Sequence, residues 1–381
     1  MTLAEEKLCS GCSACADVCP KGAIKMTPDR EGFPRPAVDN SLCIECGACT
    51  RVCPVINPPK SDPLGRAYAY INPDREVVEY SSSGGVFTAL ASKILAEGGA
   101  VVGAAFTEKL GLLHTVIESV DGLSRLRGSK YLESDTEGIY RKMKALLSDG
   151  RRVLFSGTPC QTAAVRSYFG EREGLYLVEL ACHGVPSPFV FEKYLDYLRK
   201  KHGSSVVGFN FRHKKNGWQG YGTLAVLEDG RELFSAKQDS PYMRAFLGEA
   251  TLRPSCHACS FKGNNRYADI MIADFWGVES LLPDLDNKNG VSLVIVHSEV
   301  GRELFSKVTD GAFVKEVDTA ASLNYNSAVL HSVKPHKKRD LFMKRIVEDG
   351  FSDGIERMLA PSLVARVKSK IKRIIKRLLK R

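Results

Sequence analysis

Twelve cysteines fall into three sets of four. Cys9, Cys12, Cys15 and Cys19 form a C-x2-C-x2-C-x3-C run closed by Pro20, and Cys43, Cys46, Cys49 and Cys53 repeat it, closed by Pro54. Four thiolates at these spacings, with proline behind the fourth, suit a 4Fe-4S cubane and therefore one-electron transfer. In two-cluster ferredoxins the fourth cysteine of each run ligates the other cluster. The spacing thus assigns Cys9, Cys12, Cys15 and Cys53 to one cluster, and Cys43, Cys46, Cys49 and Cys19 to the other. Zinc also takes four thiolates, but zinc ribbons use separated C-x2-C pairs rather than three-cysteine runs.

The remaining four are Cys160, Cys182, Cys256 and Cys259. Thr158-Pro159-Cys160-Gln161 reads as a capping box opening a helix, which places Cys160 in the first turn. Cys182 follows the strand-like LYLVEL, and Cys256 and Cys259 form a C-x2-C in a loop. Spacing alone leaves three readings open. The four could hold a third cubane. Cys160 could be a lone redox thiol activated by the helix N-terminus, with Cys182 in the core. Cys256 and Cys259 could hold a structural zinc with His257 or His183.

The elements that must position these residues follow from apolar periodicity. AIKM (23–26) and PRPAV (34–38) read as strands around a turn at Asp29–Gly32. NPPKSDPLG (57–65) reads as a linker and a domain boundary. Helical patterns at 86–99, 136–150, 158–170 and 188–203 alternate with strand-like runs at 100–106, 151–157 and 175–180, which points to an α/β domain with a largely parallel sheet. VVGFNFR, YGTLAVLED and VSLVIVHS predict a strand-richer second half, and the last 40 residues read as helices. The expected fold class is mixed α/β and α+β: a two-cluster ferredoxin fold over 1–60, a larger domain over 66–345, and a helical tail over 346–381.

The 381-residue chain is long enough for two or three cores. It shows no signal-peptide core and no run of about 18 apolar residues, so a cytoplasmic, non-spanning protein is expected, where clustered cysteines bind metal rather than pair as disulfides. The net charge of +10 is a property of the tail. Nine of the 54 basic residues and none of the 44 acidic ones lie in 362–381, which leaves the body near neutral. SLVARVKSKIKRIIKRLLKR carries apolar residues at helical spacing with Lys and Arg opposite, the pattern of a helix lying on an anionic membrane surface. An acidic partner or simple solvation would explain it too. A nucleic-acid partner is not expected, because the body lacks a basic groove.

From residue 80 onward the chain resembles the coenzyme F420 hydrogenase/dehydrogenase β-subunit family. The matching stretches are SSSGG (81–85), RGSKYLESD (127–135), GTPCQ (157–161), CHGVPSP (182–188), FRHKKNGW (211–218), RPSCHACSFK (253–262), ADIMIADFWG (268–277) and GVSLVIVHSEVG (290–301). The family includes relatives with an N-terminal two-cluster ferredoxin domain. The resemblance implies FAD held beside a third cubane on Cys160, Cys182, Cys256 and Cys259. It places cofactor contacts at Ser82, Ser83, Gly84 and Gly85, where a helix N-terminus after glycines would favour a pyrophosphate. Gly128, Ser129, Lys130 and Tyr131 would add a cation and an aromatic face, and Thr158 lies at the cluster loop. Without the resemblance these are a serine cap and a solvated loop. Arg212, Lys214, Lys215 and Trp218 would offer positive charge beside a ring to a planar anionic substrate, or form a basic surface loop.

These features imply an oxidoreductase that couples two-electron chemistry at FAD to one-electron transfer through the clusters. The substrate would be coenzyme F420 or another small organic molecule, including one of surface-polysaccharide synthesis. A ferredoxin or a redox subunit would be the partner. Two alternatives remain: an electron-relay subunit whose chemistry occurs in a partner, and a zinc-stabilised interaction protein.

Overall fold

The computed structural model describes residues 3–285 and 288–352, with Ile355 and Met358. The basic stretch 362–381 lies outside the described residues. Near the N-terminus, helices α1 (Ala14–Val18) and α2 (Ala48–Arg51) flank a hairpin of β1 (Ile24–Pro28) and β2 (Pro34–Val38). The hairpin pairs Ile24 with Val38 and Met26 with Pro36. Its turn is fixed by Asp29, whose Oδ1 accepts from the N–H groups of Glu31 at 2.9 Å and Phe33 at 3.0 Å. Such side-chain turns are the reason Asp is favoured there.

The chain then runs through β3 (Asp62–Pro63), β4 (Arg66–Ile71), α3 (Arg75–Tyr80), α4 (Val86–Ala96), β5 (Ala100–Phe106) and β6 (Leu112–Ile117). Next come α5 (Ile139–Ser148), β7 (Val153–Gly157), α6 (Pro159–Phe169), β8 (Leu175–Leu180) and α7 (Pro188–His202). A three-stranded antiparallel meander follows: β9 (Val206–His213), β10 (Gly222–Leu227) and β11 (Glu232–Ala236). The remaining elements are α8 (Pro241–Leu247), β12 (Asn265–Arg266), β13 (Ile270–Asp274), β14 (Ser292–Val296), α9 (Glu299–Ser306), β15 (Phe313–Val317), α10 (Thr319–Ser322) and α11 (Arg339–Asp349).

An eight-stranded sheet in the order β15-β4-β14-β13-β8-β7-β5-β6 dominates. Only β13, β8, β7 and β5 run parallel to one another; the flanking pairs are antiparallel. The expectation of a largely parallel sheet is thus corrected to a mixed one. The central strands carry continuous apolar runs because both faces are covered, and every residue of β7 and β14 is buried. Adjacent residues point to opposite faces. Val101 packs with Leu90 and Ile94 of α4 and Phe305 of α9, while Val102 packs with Tyr140 and Met143 of α5 and Ala164 of α6. Each such fully buried side chain contributes about 1.5–3 kcal/mol.

The proline-rich stretch after residue 57 does not leave the N-terminal segment hanging free. β3 pairs with β12, and Ala14, Cys12 and Val52 pack into the core beneath α5 and α6. Asp17 of α1 reaches the first turn of α5, where its carboxylate accepts from Gly138 N–H at 2.8 Å and Tyr140 N–H at 3.0 Å.

Candidate functional site

The parallel strands end on one edge of the sheet, where open α/β folds hold ligands. A cavity of about 240 Å³ lies there. Ser156 to Thr158 line it from the end of β7, Leu180 and Cys182 from beyond β8, and Ile272 to Asp274 from β13. Two loops close it. Ser82 and Ser129 staple them together: the hydroxyls lie 2.8 Å apart, and Ser129 N–H donates to Ser82 Oγ at 2.8 Å. Ser83 Oγ contacts Ser292 Oγ at 2.9 Å. Ser82, Ser83, Gly85, Gly128, Ser129, Lys130, Tyr131 and Thr158, all expected at a cofactor, line this one cavity. Gly84 lies behind the wall. A Cβ there would sit 2.2 Å from the carbonyl oxygen of Tyr70, so only glycine permits this strand-to-helix approach.

The loop 126–131 is tightened by Lys130, whose ammonium donates to the carbonyls of Leu126 at 3.2 Å, Arg127 at 2.9 Å and Gly128 at 3.3 Å. Burial lowers its pKa to about 7. Arg127 also lines the cavity, and its buried Nε has no partner among the described residues. An unpaired buried guanidinium donor calls for an anionic or carbonyl group to complete it. Sequence reasoning passed over Arg127, although it adjoins Gly128. His114 was missed as well, because nothing in LLHTVI marks its histidine. Its Nε2–H donates to the carbonyl of Ser156 at 3.0 Å, so Nδ1 accepts from Ser134 Oγ at 3.0 Å. Burial lowers His114 to a pKa of about 4, which keeps it neutral.

From Ser134 the hydrogen bonds continue to the cysteines. Gln161 Nε2 donates to Ser134 at 3.0 Å, and Gln161 Oε1 accepts from Thr158 N–H at 2.9 Å, closing the capping box. Thr158 Oγ1 lies 3.1 Å from Cys160 Sγ. Cys160 sits in the first turn of α6, yet its thiol is raised well above its ordinary pKa, first by burial and then by Cys259, Cys182 and Cys256. Burial and neighbouring sulfurs outweigh the helix dipole, the reverse of what an activated lone thiol needs. Cys256 is likewise raised by burial and by Cys182 and Cys259. Four half-buried cysteines gathered in this way need a cationic partner to become thiolates together. Lys262 and Arg266 lie near enough to lower Cys182 and Cys259, and Val185 N–H points at Cys256 Sγ at 3.5 Å. This donor set fits a cubane. Among the described residues, no three Cys, His, Asp or Glu side chains close to the distance of a single metal ion.

In the N-terminal segment, Cys12 feels Cys9 and Cys53, and Cys15 feels Cys12, Cys9 and Cys53; both thiols are raised, primarily by burial. Cys53, 34 residues beyond Cys19, therefore approaches the first run. Cys19 in turn lines a small cavity with Cys43, Cys46 and Cys49, and its Sγ accepts from Ala23 N–H at 3.3 Å. Gly47, at φ +70°, and Ser13, at φ +60°, turn the backbone of the two loops ahead of α2 and α1.

The basic group at 212–218 has a different setting from the one expected. Arg212 is buried and forms a bidentate pair with Asp274 at 2.8 and 3.0 Å. Its guanidinium lies 3.8 Å from the Tyr221 ring centroid and 5.3 Å from that of Trp276. Trp218 is buried, stacks on Trp276 at 4.9 Å and donates its N–H to Asp274. Lys214 donates to the carbonyls of Val78 and Asn289, each at 2.7 Å. Only Lys215 is exposed, over the Phe234 ring. Arg212 and Trp218 thus brace Asp274, which lines the cavity, and Arg212 also donates to the Ser82 carbonyl and the Tyr131 hydroxyl, each at 3.2 Å.

Residues 150–321 match the family described as the C terminus of the coenzyme F420 hydrogenase/dehydrogenase beta subunit, and residues 8–57 match the 4Fe-4S dicluster domain. No curated protein matches the chain. Among solved structures the chain is similar to one from the F420-reducing NiFe hydrogenase complex of Methanosarcina barkeri, in a xenon-derivatized form. The identity is 21% and the TM-score 0.47, over 76% of this chain and 89% of that one. The chain thus joins a 4Fe-4S dicluster domain over residues 8–57 to a segment over 150–321 that matches the C terminus of the oxidoreductase-like coenzyme F420 hydrogenase/dehydrogenase beta subunit, a combination that points to iron–sulfur electron transfer.

Proposed function

We propose that the cavity holds FAD, that Cys160, Cys182, Cys256 and Cys259 carry a third 4Fe-4S cluster at its edge, and that the protein is an oxidoreductase joining the two. One observation carries this reading: a single cavity is lined both by the stapled serine–glycine loops and by Cys160 and Cys182. When bound, a flavin supplies the exchange between a two-electron partner and one-electron carriers. The chain's own part is positioning. The start of α4, behind Gly85, offers backbone N–H groups and the positive end of an 11-residue helix to a phosphate. Arg127 Nε supplies a further donor. His114, held neutral, aligns Ser134, Gln161 and Thr158, and Thr158 Oγ1 stands beside a cluster sulfur.

On this reading residues 1–60 form the two-cluster unit, with Cys53 completing the Cys9 set and Cys19 completing the Cys43 set. Residues 66–345 form the flavin and third-cluster unit. A small organic molecule, a deazaflavin among the candidates, is the two-electron partner. A ferredoxin-type carrier is the one-electron partner. The basic stretch 362–381 would rest on an anionic membrane.

The test is to incubate the isolated, anaerobically purified chain with FAD, remove free flavin, and record the bound flavin and the cluster EPR signals. One FAD retained per chain, with one cluster signal lost when Cys160 is replaced by alanine, is the expected result. A chain that binds no FAD would overturn the reading.

A further inference from the structure

The cavity and the first cysteine run are joined by a buried ion pair that the reading above leaves without a role. Arg253 and Glu133 have side chains only 1% and 5% exposed. Arg253 Nη1 donates to both Glu133 oxygens, at 2.6 and 2.8 Å. Its Nε donates to the carbonyl of Cys9 at 2.8 Å, and Nη2 to that of Pro34 at 2.8 Å. Three residues on, Cys256 N–H donates back to the Arg253 carbonyl at 3.0 Å. One side chain therefore holds the backbone of a cysteine from the first run and begins the turn that carries a cysteine of the third set. Burial would lower its guanidinium pKa. Burial is the largest single influence, but Glu133, Cys9 and Cys256 together turn the shift upward.

Two further contacts run the same way. A Cβ on Gly11, at φ +71°, would lie 2.4 Å from Glu133 Oε1 and 2.6 Å from Arg253 Nη1, so glycine is what lets this loop close onto the pair. Tyr140, fully buried, donates its hydroxyl to the Cys12 carbonyl at 2.7 Å, and its phenol feels Cys12, Cys15 and Cys160. The second run is more open to solvent. A Cβ on Gly47 would meet Arg51, of the adjoining helix, at 3.2 Å, and Ile44, Glu45 and Cys46 are exposed.

We propose that Arg253 is a positioning residue shared by two clusters: its fixed charge lies between the Cys9, Cys12, Cys15 and Cys53 set and the Cys160, Cys182, Cys256 and Cys259 set, makes them neighbours, and tunes both, while the Cys19, Cys43, Cys46 and Cys49 set forms the outer station facing solvent. This rests on the reading that all three sets hold clusters. A nearby positive charge favours the more negative, reduced state of a cluster and so raises its potential. In a buried setting that effect is weakly screened.

The experiment is an EPR-monitored redox titration of the anaerobic holoprotein. The variants are R253K and R253M, the second of which removes the positive charge and leaves Glu133 in place. Cys46→Ser identifies the outer signal. R253M should lower two of the three midpoint potentials and leave the outer one in place, and R253K should keep all three near the parent values. A shift of the outer cluster, a shift of one inner cluster alone, or no shift overturns the proposal. If R253M does not fold, power saturation of the unaltered protein decides. The third-cluster signal should relax faster once the Cys9 set is reduced, and unchanged relaxation overturns the proposal. Fewer than three cluster signals in the unaltered protein would instead defeat the functional reading beneath it.

Discussion

Replacing Asp17 by alanine should loosen the N-terminal segment from the main sheet. Helix α5 begins at Gly138 with no capping side chain of its own; its cap comes from Asp17, more than a hundred residues earlier. The buried carboxylate accepts two backbone N–H groups and lies 3.5 Å from Arg141. A hydrogen bond to a charged acceptor contributes about 1.5–3 kcal/mol, and an anion at a helix N-terminus about 0.3–1 kcal/mol more. Arg141 is largely exposed, so its pairing adds little. Taking the lower bounds, the loss is about 3 kcal/mol, which at tenfold per 1.4 kcal/mol speeds local opening roughly 100-fold. Hydrogen–deuterium exchange of the anaerobic holoprotein reads this directly, in peptides covering α1 and the first turn of α5, with β14 as the unchanged reference. Asp17→Asn should behave similarly, because its amide turns a donor toward one of the two N–H groups. Exchange within about threefold of the parent in both variants would refute the trans-cap.

Other outcomes follow from the same geometry. Thr158→Val removes the hydroxyl beside Cys160 Sγ, and should lower the third cluster's potential while costing about 1 kcal/mol as a lost cap; EPR titration and chemical denaturation read the two effects separately. His114 is held at about 4, below its ordinary 6.5, by burial, so its contribution is complete above pH 6.5 and is lost as pH falls toward 4. Denaturation at pH 7 and 4.5 should show a smaller acid loss for His114→Gln, the difference being on the order of 3 kcal/mol. Gly84→Ala drives a methyl against the Tyr70 carbonyl and should reduce FAD affinity at least tenfold, measured by flavin fluorescence.

Much of the fold could be read from short-range signals. Thr158, Pro159 and Gln161 announce α6, and the apolar runs of β7 and β8 announce buried strands. What escaped depends on distant pairing. RAYAYI (66–71) follows a proline-rich stretch and becomes β4 only through β14 and β15, more than 200 residues later. Strand direction is likewise set by connections, not by local pattern, so the antiparallel flanks were missed. In the N-terminal segment Cys53 lies near the first run and Cys19 lines a cavity with the second, an exchange that the doubled spacing implies although it runs against chain order. The setting of Arg212 had no local sign. A run of Arg, His and two Lys looks solvated, and only the arrival of Asp274, 62 residues on, turns the first of them inward. His114 and Arg127 are single polar residues in ordinary contexts, and only the cavity gives them a role.

The central claim is that a flavin and a third cluster share one site. The most direct measurement is the iron, acid-labile sulfide and FAD content of one anaerobically reconstituted sample, with its Cys160→Ala variant alongside. The account predicts about twelve irons, about twelve sulfides and one FAD per chain, falling to about eight irons in the variant. A parent protein with about eight irons and no FAD would contradict it.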